Sequence, residues 1–279
     1  MNELQNKILK ELNEDGISFT HVNELFSKET KSLYNKGIDY YNNFLSSPHI
    51  QERCQRINDG NPIMDRSKWY EITVYEYLQR ALGLGDEGEE IIKMYLSPEI
   101  TSIAEAFHGI TPRVRNILTW VHPQNPKGSE FASQVWHRDQ EDYKICKVFI
   151  LFGDVTSTTG PLQYVKHTQH GGKYEDITNN MNKQTTSVFK YPIPQEEIVS
   201  CEGKAGTIIF VNTNGLHKGG LVREGVRCLT QANFLNPSAP LITNKVLSTF
   251  DYSDKINSLN PQSESYKLLN NKQKLILSN

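Results

Sequence analysis

The chain has 279 residues, 37% hydrophobic and 22% charged, which suits a globular protein with one sizeable core and excludes a disordered or fibrous one. With 30 Lys and Arg against 32 Asp and Glu the formal charge is -2, so no global field draws in nucleic acid or an anionic membrane. A small-molecule partner is the expectation.

In chain order, Leu4, Ile8 and Leu12 recur at helical spacing, residues 31–44 continue in that style, and a second helical pair is expected over residues 75–82 and 89–95. From about Arg115 the texture changes to short apolar runs, "NILTWV", "KVFILF", "PLQYV", "TIIFV" and "RCLTQANF", punctuated by Gly, Pro and Asn. That pattern predicts an all-β sandwich or barrel. Residues 171–202, rich in Asn, Gln, Thr and Lys, separate "PLQYV" from "TIIFV" and read as a lid, a rim or an excursion. After Pro237 the chain reads as loop and then a weak helix near "SYKLLNNKQKLIL". The expected organisation is one domain: a helical part over about 1–110, a β core over about 113–236 interrupted by 171–202, and an extension over 237–279.

Cys54, Cys146, Cys201 and Cys228 form no CxxC pair, so neither a zinc ribbon nor a redox dithiol is indicated, and reduced thiols are expected. The N-terminus lacks the charged-then-apolar pattern of a signal peptide, and the longest apolar run, residues 148–152, cannot span a bilayer. A soluble, cytoplasmic protein is expected. The literal GxGxxG of "GLGDEG" (Gly83, Gly85, Gly88) follows a helical pattern rather than a strand and is crowded by Asp86, Glu87, Glu89 and Glu90. A pyrophosphate would find no welcome there, so the segment reads as a turn between helices.

The stretch "SQVWHRDQED" holds His137 and Asp139 one residue apart. In a strand such residues share a face, so the imidazole and the carboxylate can converge on one divalent metal, with Trp136 and Arg138 directed to the other face. His217 in "FVNTNGLHKGG", after the run "TIIFV", is the candidate third ligand. Two histidines and one carboxylate make the facial triad of non-haem iron(II) oxygenases, which leaves coordination positions open; a structural zinc site would be closed by four ligands.

Arg227 lies beyond a turn at "VREGV", where Gly225 can take positive φ. If the flanking stretches pair as a hairpin, Arg227 falls near Gly220, roughly 10 Å along the sheet from His217. That separation suits a short dicarboxylate chelating the metal at one end and gripped by a guanidinium at the other. Arg223, in the turn itself, reads as a solvated charge. On the strand of Arg227 one face presents Leu229, Gln231 and Asn233, and the other Cys228, Thr230, Ala232 and Phe234, as expected of a strand lining a polar cavity.

With "WHRD", "GLHKGG" and "REGVRCL" in view, the chain resembles the phytanoyl-CoA dioxygenase-like family of iron(II)- and 2-oxoglutarate-dependent oxygenases. The resemblance is clearest from about Arg115 to Phe234 and fainter at "LNEDGISF". It implies a mainly β (α+β) fold, a double-stranded β-helix or jelly-roll barrel with flanking N-terminal helices. It also implies His137, Asp139 and His217 as iron ligands, and Arg227 on the distal carboxylate of 2-oxoglutarate. Fe(II), 2-oxoglutarate and O2 are the implied cofactors and cosubstrates. At "GPLQYVKHTQH" the chain departs from the family's Pro-Gly-Ser-His stretch, with Lys166, His167, Thr168 and Gln169 in its place. His167 and His170 therefore read as rim or surface residues.

The implied reaction is hydroxylation of an aliphatic carbon of a small metabolite, with release of succinate and CO2. Asp139 argues against halogenation, which needs that position vacated for halide. The competing readings are a non-redox cupin-type metal enzyme and a jelly-roll metal or ligand-binding module. A binding module predicts no succinate under any condition, and Arg227 weighs against the cupin-type enzyme, having little purpose without an anionic cosubstrate. Gln134, Gln231 and Asn233 are further candidates for the cosubstrate site, and Trp120, His122 and Trp136 for the cavity wall. His108 reads as a loop residue; Arg113, Arg115, Arg138 and Lys147 are candidates to meet an anionic group such as a carboxylate or phosphate, against the plainer reading of scattered basic residues on a solvated surface.

Overall fold

The computed structural model describes residues 1–58, 72–73, 87–125, 130, 132–177 and 189–239. The helix expected over residues 75–82, the glycines at 83 and 85, and the expected C-terminal helix lie outside them.

Helix α1 (Glu3–Glu14) begins at a capping box in which Asn2 and Gln5 each satisfy the other's backbone N–H. Its apolar stripe buries Ile8 and Leu12 completely. The chain turns at Gly16, whose φ is +81°, into strand β1 (Ile17–His21), which the helical periodicity of the first third does not announce. A short turn of helix, α2 (Val22–Leu25), leads to α3 (Lys28–Ser46), whose Ser27 cap accepts from the Thr30 N–H. Helix α4 (Pro48–Asn58), the two-residue strand β2 (Ile72–Thr73), α5 (Glu87–Tyr95) and α6 (Pro98–His108) follow. Proline in the first turn of α6 and Gly109 at φ +73° after its last turn mark its ends. His108 thus closes a helix rather than sitting in a loop. Its Nε2 lies 3.1 Å from the Phe234 carbonyl, and burial drops its pKa to about 4.

The remaining strands are β3 (Arg113–Pro123), β4 (Cys146–Leu151), β5 (Gln163–Val165), β6 (Ile198–Ser200), β7 (Thr207–Asn212), β8 (His217–Lys218) and β9 (Val226–Leu235). The apolar runs read from the sequence supply β3, β4, β5, β7 and β9, and β6 comes from the end of the segment 171–202. They form a six-stranded sheet in the order β1-β7-β4-β9-β3-β2 and a three-stranded sheet in the order β6-β5-β8, with antiparallel pairing throughout. The two sheets are those of a double-stranded β-helix.

Period-two alternation divides each central strand between two environments. Cys146, Val148 and Ile150 of β4, Ile208 and Phe210 of β7, and Cys228, Ala232 and Phe234 of β9 join Ile8, Phe44, Tyr95 and Ile103 in the core between the large sheet and the helices. The other face, with Phe149, Leu151, Ile209, Val211 and Leu229, meets Tyr164 of the small sheet in a second core. Each fully buried apolar side chain contributes about 1.5–3 kcal/mol, so the helices brace the outer face of the large sheet and leave its inner face for the site. Among the described residues no helix is long and apolar enough to cross a membrane.

Candidate metal centre

His217 opens β8, and its backbone exchanges both hydrogen bonds with that of His137, each 2.9 Å, in an isolated antiparallel bridge. His137 is therefore not part of a continuous strand, as its spacing suggested; it is a single rung at the open edge of β8. Asp139 is fixed by its own N–H, which donates to the Thr213 carbonyl at 2.8 Å, in the turn before β8. The local geometry still brings the three side chains together: one donor atom from each of His137, Asp139 and His217 lies within 4.8 Å of the others, and all three residues are buried. His137 Nε2 is 3.8 Å from Asp139 Oδ1, and His217 Nε2 is 3.8 Å from Asp139 Oδ2.

Each imidazole is oriented through its other nitrogen. His137 Nδ1 lies 2.7 Å from the Val135 carbonyl and His217 Nδ1 2.9 Å from the Gly215 carbonyl. A carbonyl can only accept, so both Nδ1 atoms carry the proton and both Nε2 lone pairs face Asp139, as metal ligation requires. Burial, and then the neighbouring His137 ring, push the His217 pKa well below its ordinary value, which keeps the ring neutral. Two neutral imidazoles and one carboxylate fit a divalent first-row metal with positions left open.

These ligands open on a cavity of about 250 Å³, lined also by His122, Ser133, Lys147, Phe149, Leu162, Gly219, Arg227, Leu229 and Gln231. Arg227 on β9 is buried, and its Nη1 donates to the Gly220 carbonyl at 3.2 Å. The hairpin expected from the sequence does not form, because β8 belongs to the small sheet and β9 to the large one. The proximity of Arg227 to Gly220 arises instead from the chain crossing between sheets. Gly225 has the expected positive φ, +76°, and Arg223 is exposed. Gly220 packs so closely that a Cβ there would stand 2.6 Å from the backbone of Gly160 and Pro161.

His122 stands directly opposite Arg227 in the β3–β9 register. Burial, with the Arg227 charge adding to it, pushes its pKa well below the ordinary value, so a neutral ring sits beside the guanidinium.

Several candidates fall elsewhere. Gln231 lines the cavity, but the buried Gln134 and Asn233 are not among its walls; Ser133, beside Gln134, takes that place. Trp136 packs against Val165, Ile177 and Leu216, with Lys218 Nζ 5.4 Å from its ring centre. Nothing is described of the Trp120 side chain. His167, at φ +60°, turns its Nδ1 to the Glu14 carbonyl, and His170 is exposed.

Two of the four basic residues are not on a solvated surface. Lys147 lines the cavity, with Nζ 2.5 Å from Asp139 Oδ2. Arg138 is buried, and its guanidinium donates to the carbonyls of Thr168, Asn214 (3.0 Å) and Glu175 (2.7 Å). It ties the residues after β5 to the turn before β8, away from the triad. Arg138→Met should lower the unfolding free energy by about 3 kcal/mol, since buried carbonyls lose charged donors; urea denaturation measures it, and an unchanged midpoint would refute that role. Arg115 pairs with Glu141 at 2.5 Å.

A double-stranded β-helix carrying a two-histidine, one-carboxylate set at the wall of a polar cavity defines the class of mononuclear non-haem iron enzymes. The chain belongs to the phytanoyl-CoA dioxygenase (PhyH) family, whose profile matches residues 41–224. The matched region contains His137, Asp139 and His217 and ends just short of Arg227. No curated protein matches the chain significantly.

Among solved structures, the epimerase SnoN in complex with Fe3+, alpha ketoglutarate and nogalamycin RO is similar at 13% identity, TM-score 0.52, with 85% of each chain covered. EctD from S. alaskensis with bound Fe is similar at 17% identity, TM-score 0.51, covering 86% of this chain and 78% of that one. These likenesses bear out the fold. The protein is an iron- and 2-oxoglutarate-dependent enzyme of the oxygenase superfamily.

Proposed function

We propose that the protein is a dioxygenase that hydroxylates an aliphatic carbon of a small-molecule metabolite, releasing succinate and CO2. In this reading His137, Asp139 and His217 hold Fe(II), and Arg227 binds the distal carboxylate of 2-oxoglutarate. The observation that carries it is the shared cavity: His137, Asp139, His217 and Arg227 line one and the same space. A hydrolytic metal site gives a buried arginine at that position no anionic cosubstrate to meet, and a binding module releases no succinate.

When bound, iron and 2-oxoglutarate supply the oxidative decarboxylation that activates oxygen for cleavage of a C–H bond. The chain positions and excludes. Arg227 grips one end of the cosubstrate with its planar fork, while the neutral ring of His122 beside it adds no competing charge. Phe149, Leu162 and Leu229 wall the cavity with apolar surface that discourages water. Arg138 and the His137–His217 bridge hold the ligand-bearing segments in place.

The test is turnover under 18O2 with Fe(II), 2-oxoglutarate and a panel of small metabolites. Hydroxylation places one labelled atom in succinate and one in the product. A product that gains no labelled atom, alongside labelled succinate, would replace hydroxylation by epimerisation, cyclisation or desaturation. No succinate under any condition would refute the oxygenase reading.

A further inference from the structure

We infer that Lys147 is a positioning residue that holds Asp139 to ligation through one oxygen, and so keeps a coordination position open for 2-oxoglutarate. The inference rests on the iron and 2-oxoglutarate reading of the site.

Lys147 lies on β4, between β7 and β9, where it stands beside Val211 and Asn233. The alternation that sends Cys146, Val148 and Ile150 into the helix-backed core sends Lys147 inward with Phe149 and Leu151. Its side chain is 11% exposed. An ammonium in that position on a central strand is costly unless an anion meets it. The anion it meets is a triad carboxylate, with Nζ 2.5 Å from Oδ2 of Asp139, itself 0% exposed.

The Asp139 backbone is already pinned to Thr213, so the freedom left to the residue is the turn of its carboxylate. That carboxylate presents one oxygen towards each histidine, Oδ1 to His137 Nε2 and Oδ2 to His217 Nε2, both at 3.8 Å. Nothing in this symmetry prevents both oxygens from turning to one metal. Two-oxygen ligation would consume one of the positions a facial triad must leave open. A charged donor on Oδ2 breaks the symmetry: it occupies that oxygen with a strong hydrogen bond and leaves Oδ1 for the metal.

The experiment is an anaerobic titration of 2-oxoglutarate into protein saturated with Fe(II), following the visible charge-transfer band of the chelate, in wild type, Lys147→Met and Lys147→Arg. Lys147→Met should need at least about tenfold more 2-oxoglutarate for half the band, the lower range for losing a partner of a metal ligand. Lys147→Arg, which keeps a charged donor, should stay close to wild type. A Lys147→Met curve that overlays the wild type, or a Lys147→Arg curve as displaced as that of Lys147→Met, overturns the role of Lys147 while leaving the iron site standing. Absence of the band in the wild type overturns the reading on which it rests. Should Lys147→Met fail to fold, a crystal structure of the Fe(II)-loaded wild type decides. One Asp139 oxygen on the metal with Lys147 on the other supports the inference, and two oxygens on the metal refute it.

Discussion

His217→Ala should remove the visible Fe(II)–2-oxoglutarate band and all succinate release, with iron affinity reduced by more than about a hundredfold, the upper end of what losing an outer partner costs. The expectation follows from how the ring is held. Its Nδ1 proton is committed to the Gly215 carbonyl, so its Nε2 lone pair has one direction in which to act, towards Asp139 and His137. The variant should nonetheless fold, because the bonds joining residues 217 and 137 are backbone bonds that an alanine also makes. Circular dichroism and a thermal melt are the controls. Iron affinity and succinate release at wild-type levels in a folded His217→Ala protein would remove His217 from the metal site.

Arg227→Ala should leave iron binding intact and raise the 2-oxoglutarate concentration for half-formation of the band by about a hundredfold, as expected when one partner of a buried charged pair is deleted. Arg227→Lys should recover only part of the loss, because an ammonium cannot reproduce the two-pronged grip of a guanidinium. His122, opposite Arg227, does not substitute for it, since its burial keeps the ring uncharged. The two variants divide the site: loss at His217 appears in the iron titration, and loss at Arg227 only when the cosubstrate is added. An Arg227→Ala curve that overlays the wild type would show that another group holds the distal carboxylate.

The four residues that the fold gathers at the cavity, His137, Asp139, His217 and Arg227, are legible in the sequence because residue type and order single them out. An HxD pair, a later histidine after an apolar run and an arginine beyond a glycine turn are all short-range patterns. The conformation behind them was less legible. The spacing of His137 and Asp139 matched a strand, yet what aligns them is one bridge to a residue far along the chain, which no local pattern announces. Arg227 was placed near Gly220 by a hairpin that does not exist, and arrived there because the chain passes from one sheet to the other.

Nothing in the sequence announces the burial of Arg138, because its partners are carbonyls of distant residues, invisible to composition. Lys147 is a different case. It shares the parity of Phe149 and Leu151 in "KVFIL", and that alternation could have placed it inward. Strand β1 was missed because its five residues directly follow a strongly amphipathic helix. Its partner is β7, nearly two hundred residues later.

The bridge between His137 and His217 has a consequence for the lifetime of the centre. His217 is also held by its pairing with Tyr164 on β5, whereas His137 meets the sheet through this one bridge, so a fluctuation that opens the bridge loosens His137 first and ligand loss should begin there. The rate at which a bound metal leaves should therefore follow how often that rung breathes.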